Sequence, residues 1–369
     1  MKNLRVIISG GGTGGHIFPA IAIANTIKKR YADSEILFVG AEGRMEMEKV
    51  PNAGYKIEGL NVVGISRKNP IKIFSTIWKF QKSLNRASKI IKEFKPDIVI
   101  GVGGYASGPT LYKASKLGIP TLIQEQNSYA GITNKFLGKK ASSICVAYEN
   151  MERFFPKDKI VMTGNPCREE LLSSNITKED AYTEFNLDPN KKTILVVGGS
   201  LGSRTINKSI FSGIEALSES DIQIIWQCGK LYFFELNMDL ASKGNPQNIH
   251  IHEFISRMDL AYKAADLVIS RAGASSISEL CLLGKPVILV PSPNVSEDHQ
   301  TKNAMALVNK DAAILIKDIE ANDLLVKTAL ETIKDKDKLK TLSENILKLA
   351  QHDSANRIVD EAIGLIKRK

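Results

Sequence analysis

Short apolar runs rich in β-branched residues alternate with amphipathic stretches of helical spacing along this whole chain, and the pattern restarts at mid-chain. A run of that length, apolar throughout, suits a parallel strand covered on both faces, and the helical stretch after it carries the chain back to the start of the next strand. The fold class is therefore α/β, built of βα units. In the first half, residues 4–9, 35–39, 97–102, 120–124, 143–147 and 160–163 read as six strands, enough for a Rossmann-like sheet. In the second, 193–197, 222–227, 249–252, 267–270, 287–290 and 313–316 read as another sheet. Gly164-Asn165-Pro166 is a turn signal, and 173–192 is polar and helix-like, which places a boundary and an interdomain cleft near residue 164. The expected domains are 1–164 and 165–349. Ile346, Leu349, Ile358, Ala362 and Ile366 keep helical spacing over 342–369. Whether that stretch finishes the second domain, or packs back on the first from about residue 350, is open on sequence alone.

Several classes are excluded. No apolar run reaches the ~18 residues that a membrane-spanning helix requires. The opening MKNLRVIISG passes straight into glycines and reads as a first strand, not a signal peptide. Cys145, Cys167, Cys228 and Cys281 are scattered without a CxxC pair, so neither a disulfide framework nor a zinc site is indicated, and a reducing cytoplasm is the natural compartment. With 50 Lys and Arg against 40 Asp and Glu, the formal charge of +10 favours an anionic partner.

Three glycine-rich loops each follow a strand and open a helix, where backbone N–H groups and the positive end of the helix dipole make an anion site. The first is Gly10-Gly11-Gly12-Thr13-Gly14-Gly15-His16. It spells G-x-G-x-x-G through Gly10, Gly12 and Gly15, yet the acidic residue that a dinucleotide site wants about 20 residues on is missing, and Glu42 comes too late. His16 at the helix N-terminus suits a neutral general base and equally a helix-capping side chain. The second loop, Gly198-Gly199-Ser200-Leu201-Gly202, also spells the G-x-S-x-G elbow of α/β-hydrolases, with Asp298 and His299 downstream. That reading leaves the other loops idle, and a phosphate-cradling serine loop accounts for more. The third, residues 271–279, offers Ser275 and Ser276 to a diphosphate and Glu279 to paired ribose hydroxyls; a plain capping box fits the same residues. No GxxxxGK[ST] loop is present, and Asp335-Lys336-Asp337 lies in a lysine-rich helix, so metal-dependent phosphate binding loses support. Charge neutralisation then falls to Arg168, Arg271 and the helix dipoles, and either arginine suits a surface ion pair equally.

Taken together and in order, GGGTGGHIFPA, GVGGYASGP (101–109), QEQNSYAGITNK (124–135), TGNPCR (163–168), GGSLGSRTIN (198–207), RAGASSISEL (271–280) and DHQTKNA (298–304) closely resemble the MurG family of bacterial transferases. The resemblance spans most of the chain. It implies the GT-B fold, with two facing Rossmann-like domains, parallel sheets and a cleft between them. It also implies inverting transfer of N-acetylglucosamine from UDP-GlcNAc to the 4-hydroxyl of MurNAc in undecaprenyl-pyrophosphoryl-MurNAc-pentapeptide, a step of peptidoglycan synthesis, with no cofactor and no metal. By the same resemblance Arg168, Ser200, Ala274, Ser275, Ser276, Ile277 and Ser278 meet the diphosphate, Ile255 presents backbone groups to uracil, Glu279 holds the ribose, and Gln300 contacts the sugar. Thr13, Gly14, Gly15 and Asn127 face the reacting centre, with His16 the first candidate for general base and Glu125 the second. The family commonly has His where this chain has Gln124, so no proton relay runs through that position. Proteins of cell-wall synthesis or division are further expected partners.

Residues 66–95 hold nine basic side chains against one Glu. Ile77, Leu84, Ala87, Ile91 and Phe94 make an ordinary core-facing stripe, but Ile71, Ile73, Phe74 and Trp78 are additional apolar groups beside Lys72 and Lys79. This pairing suits the anionic phospholipid surface on the cytoplasmic face of the bacterial inner membrane, held peripherally; packing beneath a neighbouring loop is the plainer alternative. No nucleic-acid motif accompanies the charge. Two rival functions share the same features: a UDP-sugar 2-epimerase of the same fold, which has no use for GGYASGP or the basic apolar stretch, and a non-catalytic UDP-sugar-binding protein.

Overall fold

The computed structural model describes residues 3–62, 70–167, 171, 176–199 and 201–368, with the backbone alone for 70–79 and 296. The chain divides into two compact units, Met1–Cys167 together with Gln351–Lys369, and Arg168–Ala350. The division thus falls just after the Gly164-Asn165-Pro166 turn, and the last nineteen positions, 351–369, belong to the first unit.

Unit 1 is built on seven parallel strands: β1 (Arg5–Gly10), β2 (Glu35–Ala41), β3 (Lys56–Leu60), β4 (Ile98–Gly103), β5 (Thr121–Glu125), β6 (Ser143–Val146) and β7 (Ile160–Met162). Their order is β3-β2-β1-β4-β5-β6-β7. The sequence pattern marks six of these and not β3, because KIEGL lies at the sheet edge, half-buried, and lacks the two-sided apolar run of a central strand. In the centre, alternate residues enter opposite layers. Val6, Ile8, Ile98 and Ile100 pack with Ile17, Ile23 and Ile27 of the helix Gly14–Arg30. Ile7, Val99 and Ile123 pack with Ala87, Ile90 and Ile91 of the helix Pro70–Phe94. Leu84, Ala87 and Ile91 of the expected stripe are buried and Phe94 packs against the core, while the side chains of Ile71, Ile73, Phe74, Ile77 and Trp78 lie outside the described residues.

The final stretch is two helices rather than one, Lys336–Leu347 and Ser354–Lys367, broken at Asp353 with φ +58°. The second lays Ile358, Val359, Ala362, Ile363 and Leu365 into the layer that holds the helix Gly14–Arg30. Gly164 permits this return. Its φ is +81°, and a Cβ there would stand 2.3 Å from Gln351 Cβ.

Unit 2 contains β8 (Lys192–Val197), β9 (Ile222–Gln227), β10 (Ile249–His252), β11 (Leu267–Ser270), β12 (Val287–Leu289) and β13 (Ile314–Leu315), all parallel, in the order β10-β9-β8-β11-β12-β13. Ile194, Val196, Ile224 and Ile269 form one core layer with Ile206, Ile210, Leu325 and Ile333. Trp226, fully buried there, donates its Nε1–H to Asn207 Oδ1 at 3.1 Å, and Asn207 donates to the Cys228 carbonyl at 2.8 Å, so the polar atoms of this layer are satisfied.

In both sheets the chain winds outward in two directions from the first strand, with the reversal between β1 and β4 in unit 1 and between β8 and β11 in unit 2. Loops leaving the carboxyl ends of such neighbours diverge, and the crevice they leave is where α/β sheets bind ligands. Among the described residues no helix is long and apolar enough to cross a membrane.

Because Ile358 is fully buried between the last helix and the sheet layer, Ile358→Ala is expected to destabilise unit 1 by about 2–5 kcal/mol. Urea unfolding followed by hydrogen exchange should locate the loss in unit 1, with unit 2 unchanged.

Candidate active site

At the switch point of unit 1 two glycine loops meet backbone to backbone. Gly11 donates its N–H to the Gly103 carbonyl at 3.3 Å, and a Cβ on Gly104 would lie 2.3 Å from the Gly11 carbonyl oxygen. Gly103 and Gly104 hold φ of +95° and +85°, so glycine is needed both for conformation and for space. Ser107 Oγ, buried, stands 2.6 Å from Ser9 O and 2.9 Å from Gly103 O and ties the loops together. The imidazole of His16, half-buried, lies over Gly103, where a Cβ would approach its Nε2 to 2.8 Å. His16 Nδ1 is 3.1 Å from the Gly11 carbonyl and 3.1 Å from Thr13 Oγ1. A carbonyl only accepts, so this pattern assigns the proton to Nδ1 and the lone pair to Nε2, the form a general base needs.

The G-x-G-x-x-G spelling of this loop does not hold a dinucleotide phosphate. Glu46, 1% exposed, accepts from Gly12 N at 2.8 Å and from Ala41 N at 2.9 Å, and a Cβ on Gly11 would sit 2.2 Å from its carboxyl group. Of the loop's N–H groups, that of Gly12 is bound to a carboxylate of the chain itself and that of Gly11 to the Gly103 carbonyl. Thr13 and Gly15 lie on the exposed outer side, Gly14 is half-buried, and Thr13 serves as N-cap of the helix Gly14–Arg30 without a side-chain capping bond.

Glu125 ends β5 and is 1% exposed. Its Oε1 accepts from Asn127 N at 3.1 Å and Asn127 Nδ2 at 3.3 Å; its Oε2 accepts from Gly131 N at 3.0 Å and Asn134 Nδ2 at 2.9 Å. Four donors on one carboxylate hold the 125–134 loop in shape and commit its lone pairs. The neighbouring Gln124, fully buried, donates to Asn165 Oδ1 at 2.9 Å, while Asn165 donates to Gln126 O at 3.0 Å and Gln126 to Val102 O at 2.8 Å. Where a titrating side chain would be buried, this chain has an amide in a closed amide network.

Unit 2 carries a cavity of about 550 Å³ at its own switch point, lined by the ends of β8 and β11, Gly198, Gly199, residues 202–205, Tyr232, Arg271, Gly273, Ser276, Ser292, Asn294, Gln300 and Asp318. Gly199 and Gly202 have φ of +87° and +81°, and a Cβ on Gly202 would lie 2.0 Å from the Cys228 carbonyl. The turn then enters the helix Arg204–Ser212, whose N-cap Ser203 accepts from Ile206 N. The third loop has no capping box. Its N-cap is Gly273, without a side-chain bond, so the first turn of the helix Ala274–Leu282 keeps its N–H groups toward an anion.

Arg271 lines the cavity, as Arg204 does, and is also in an ion pair, the alternative its sequence reading left open. Its Nη1 donates to the Val290 and Pro291 carbonyls at 3.0 and 3.1 Å and pairs with Asp318, which also accepts from Thr205 Oγ1 at 2.9 Å. Asp318 and Tyr232 lie outside the quoted motifs, and only the fold brings them to the cavity beside Thr205.

Of the remaining expected residues, Ser276 and Gln300 line the cavity, with Gln300 Oε1 accepting from Ser292 N at 2.9 Å. Ala274 and Ile277 are buried in the same helix, Ser278 Oγ donates to Ala274 O at 3.0 Å, and Ser275 Oγ is buried without a hydrogen-bond partner among the described residues. Glu279, 6% exposed, accepts from Tyr262 OH at 3.3 Å. Ile255 is buried, and its N–H donates to Gln227 Oε1 at 3.1 Å while Gln227 Nε2 reaches Gly199 O at 3.1 Å, coupling 255 to the glycine loop. Arg168 and Ser200 lie outside the described residues. Among the described residues, no group of three or more His, Cys, Asp or Glu is placed to hold a metal ion.

Residues 6–146 match the glycosyltransferase family 28 N-terminal domain, and 193–358 match the glycosyltransferase family 28 C-terminal domain. The chain is 62% identical, over all of its length and all of the relative's, to a Parabacteroides distasonis protein named UDP-N-acetylglucosamine--N-acetylmuramyl-(pentapeptide) pyrophosphoryl-undecaprenol N-acetylglucosamine transferase. Among solved structures it is similar to MurG of Acinetobacter baumannii, with TM-score 0.79 and 29% identity over 98% of this chain and 99% of that one. A UDP-N-acetylglucosamine 2-epimerase superposes with TM-score 0.67 at 17% identity over 100% of this chain and 98% of that one, a likeness of fold alone.

Gly202→Ala is expected to destabilise unit 2 by about 1–3 kcal/mol or more, since the substitution meets both a positive φ and the Cys228 carbonyl. The check is whether thermal unfolding shifts for unit 2 while the protection of unit 1 amides stays as in the parent.

Proposed function

The chain belongs to glycosyltransferase family 28, to the transferases it matches end to end, and from that premise we infer how its loops divide the reaction. The activity is transfer of N-acetylglucosamine from UDP-GlcNAc to the 4-hydroxyl of MurNAc in undecaprenyl-pyrophosphoryl-MurNAc-pentapeptide, within peptidoglycan synthesis. The fold is GT-B. The observation that carries the division of labour is the contrast between the open cavity of unit 2 and the self-filled glycine loop of unit 1. A cavity of about 550 Å³ lies within the range of small-molecule sites and opens on an uncapped helix N-terminus, which suits the UDP donor.

In this reading the acceptor 4-hydroxyl attacks the anomeric carbon in line, its C–O bond forming as the bond to the β-phosphate oxygen breaks, with inversion. His16 Nε2 takes the hydroxyl proton. The electron pair leaves on UDP, whose charge meets the N–H groups of the 198–202 loop and of the helix Ala274–Leu282, together with Arg168. Ser200, Ser275 and Ser276 add hydroxyl donors, Ile255 and Glu279 serve the nucleoside, and Gln300 the sugar. Glu125 acts by shaping the loop that carries Asn127, because its lone pairs are already engaged. No metal is asked for in this scheme.

Attachment to the membrane is peripheral and uses the basic helix Pro70–Phe94 at the cytoplasmic face. Phe80 of that helix is 43% exposed, an apolar group among lysines. Each Lys or Arg at an anionic surface contributes about 1 kcal/mol, and Ile71, Ile73, Phe74 and Trp78 are assigned to the apolar contact. Proteins of cell-wall synthesis or division are assigned as further partners.

Radiolabelled N-acetylglucosamine should pass from UDP-GlcNAc to the lipid-linked acceptor equally with and without chelator. His16→Ala should lower kcat by about 10²–10⁴ with the donor KM unchanged; near-normal turnover would remove His16 as base, and chelator inhibition would overturn the metal-free scheme. Lys72→Glu with Lys79→Glu should reduce sedimentation with anionic vesicles and leave sedimentation with neutral ones as it was; equal loss on both would count against the charged surface.

A further inference from the structure

The buried carboxylate of Glu46 has no place in the scheme above, yet it touches the peptide group that holds His16. Gly11 and Gly12 share one peptide unit. Its carbonyl, on Gly11, accepts from His16 Nδ1 at 3.1 Å; its N–H, on Gly12, donates to Glu46 Oε2 at 2.8 Å. The other carboxylate oxygen accepts from Ala41 N at 2.9 Å, at the end of β2.

We propose that Glu46 is a positioning residue for His16, acting through the Gly11–Gly12 peptide in the way an acidic side chain orients a catalytic histidine directly. A carboxylate on the N–H polarises the amide and deepens the negative charge on its carbonyl oxygen, because hydrogen bonds in a chain reinforce one another where water is excluded. The strengthened acceptor holds the proton on Nδ1 and leaves the lone pair on Nε2. The sterics agree with the electrostatics. Gly11 at φ +145° and Gly12 at φ +89° turn the peptide to face both partners, and a side chain on Gly11 would displace the carboxylate outright. Gly40 is a second such position, where a Cβ would lie 2.6 Å from Glu46 Cγ. Two glycines, Gly11 and Gly40, therefore make room for one acidic side chain that is 1% exposed, and Ala41 anchors it from the neighbouring strand. A carboxylate this enclosed is costly unless its oxygens are bonded, and the two backbone donors meet that need. The expected contribution of dinucleotide-type loops, binding a ligand's phosphate on these N–H groups, is here replaced by a resident anion.

The proposal rests on His16 as base only for its effect on rate; its effect on the imidazole is separate. The first measurement is the ¹⁵N spectrum of histidine-labelled protein, in which five histidines resolve and the one absent from His16→Ala is identified. The full chain should show neutral His16 protonated at Nδ1, and protonation at Nε2 would overturn the proposal without any variant at position 46. In Glu46→Gln the Nδ1-protonated form should lose its dominance, and kcat should fall by about 10- to 100-fold with the KM for UDP-GlcNAc unchanged, the range for a group that orients a ligand or base from one bond away. Glu46→Asp, which keeps the charge on a shorter arm, should recover part of both. Should Glu46→Gln fold, bind UDP normally and keep the parent tautomer, Glu46 is a packing group and the proposal fails. Should the tautomer change while His16→Ala retains turnover, the positioning role stands and the assignment of His16 as base falls. Should Glu46→Gln not fold, the parent spectrum and Glu46→Asp decide between the same two outcomes.

Discussion

The close approach of one glycine backbone to another, at the carboxyl ends of the central strands, is the constraint on which both sites depend. In unit 1 it is Gly104 against the carbonyl of Gly11; in unit 2 it is Gly202 against the carbonyl of Cys228 and, across from it, Gly229 against Gly202 N. Each contact leaves less than the room a methyl group needs. The unit 1 contact sits where the order of strands reverses, between β1 and β4; the unit 2 contact joins the loops after β8 and β9, beside the β8–β11 reversal where diverging crossovers leave a crevice. Side chains that do chemistry are then hung from a backbone that has almost no freedom to relax. That rigidity suits a site whose work is to hold donors and one base in place before the substrate arrives.

From this shared frame the two units treat negative charge in opposite ways. Unit 1 fills its loop with Glu46 and keeps the N-terminus of the following helix exposed at Thr13 and Gly15. Unit 2 leaves its loop open over a cavity lined by Arg204 and Arg271, and pairs Arg271 with Asp318 and two carbonyls.

Much of this was legible from residues alone. Eleven of the twelve strands expected are matched by strands whose ends differ by no more than one position, and the other, expected at 35–39, runs two positions further to Ala41, because a two-sided apolar run has few ways to be buried. β3 escaped notice since an edge strand is half-exposed and its pattern fades. The glycine loops were legible as anion sites from their composition and place after strands. What they hold was not. Gly10, Gly12 and Gly15 spell a dinucleotide loop, and nothing near them in the chain says that Glu46, thirty-four positions after Gly12, will occupy it. Arg271 stayed open between a phosphate contact and an ion pair because its partner Asp318 is forty-seven residues away. Glu125 read as a spare base because the side chain of Asn134 and the N–H of Gly131 converge on it only when the loop closes.

The sequence by itself determined the α/β class, the two repeats of it, the positions of the loops and, through an ordered set of motifs, the family. Those are local properties: period, glycine content and turn chemistry act over a few residues and survive without knowledge of the rest. Only the tertiary structure decided which polar groups are already satisfied, namely that Glu46, Glu125 and Arg271 are bound within the protein and that the 351–369 segment returns to unit 1. A buried charge is stable only beside bonded partners, near or far in sequence, that folding brings into reach, so the distinction between a free catalytic group and a committed structural one is made by packing.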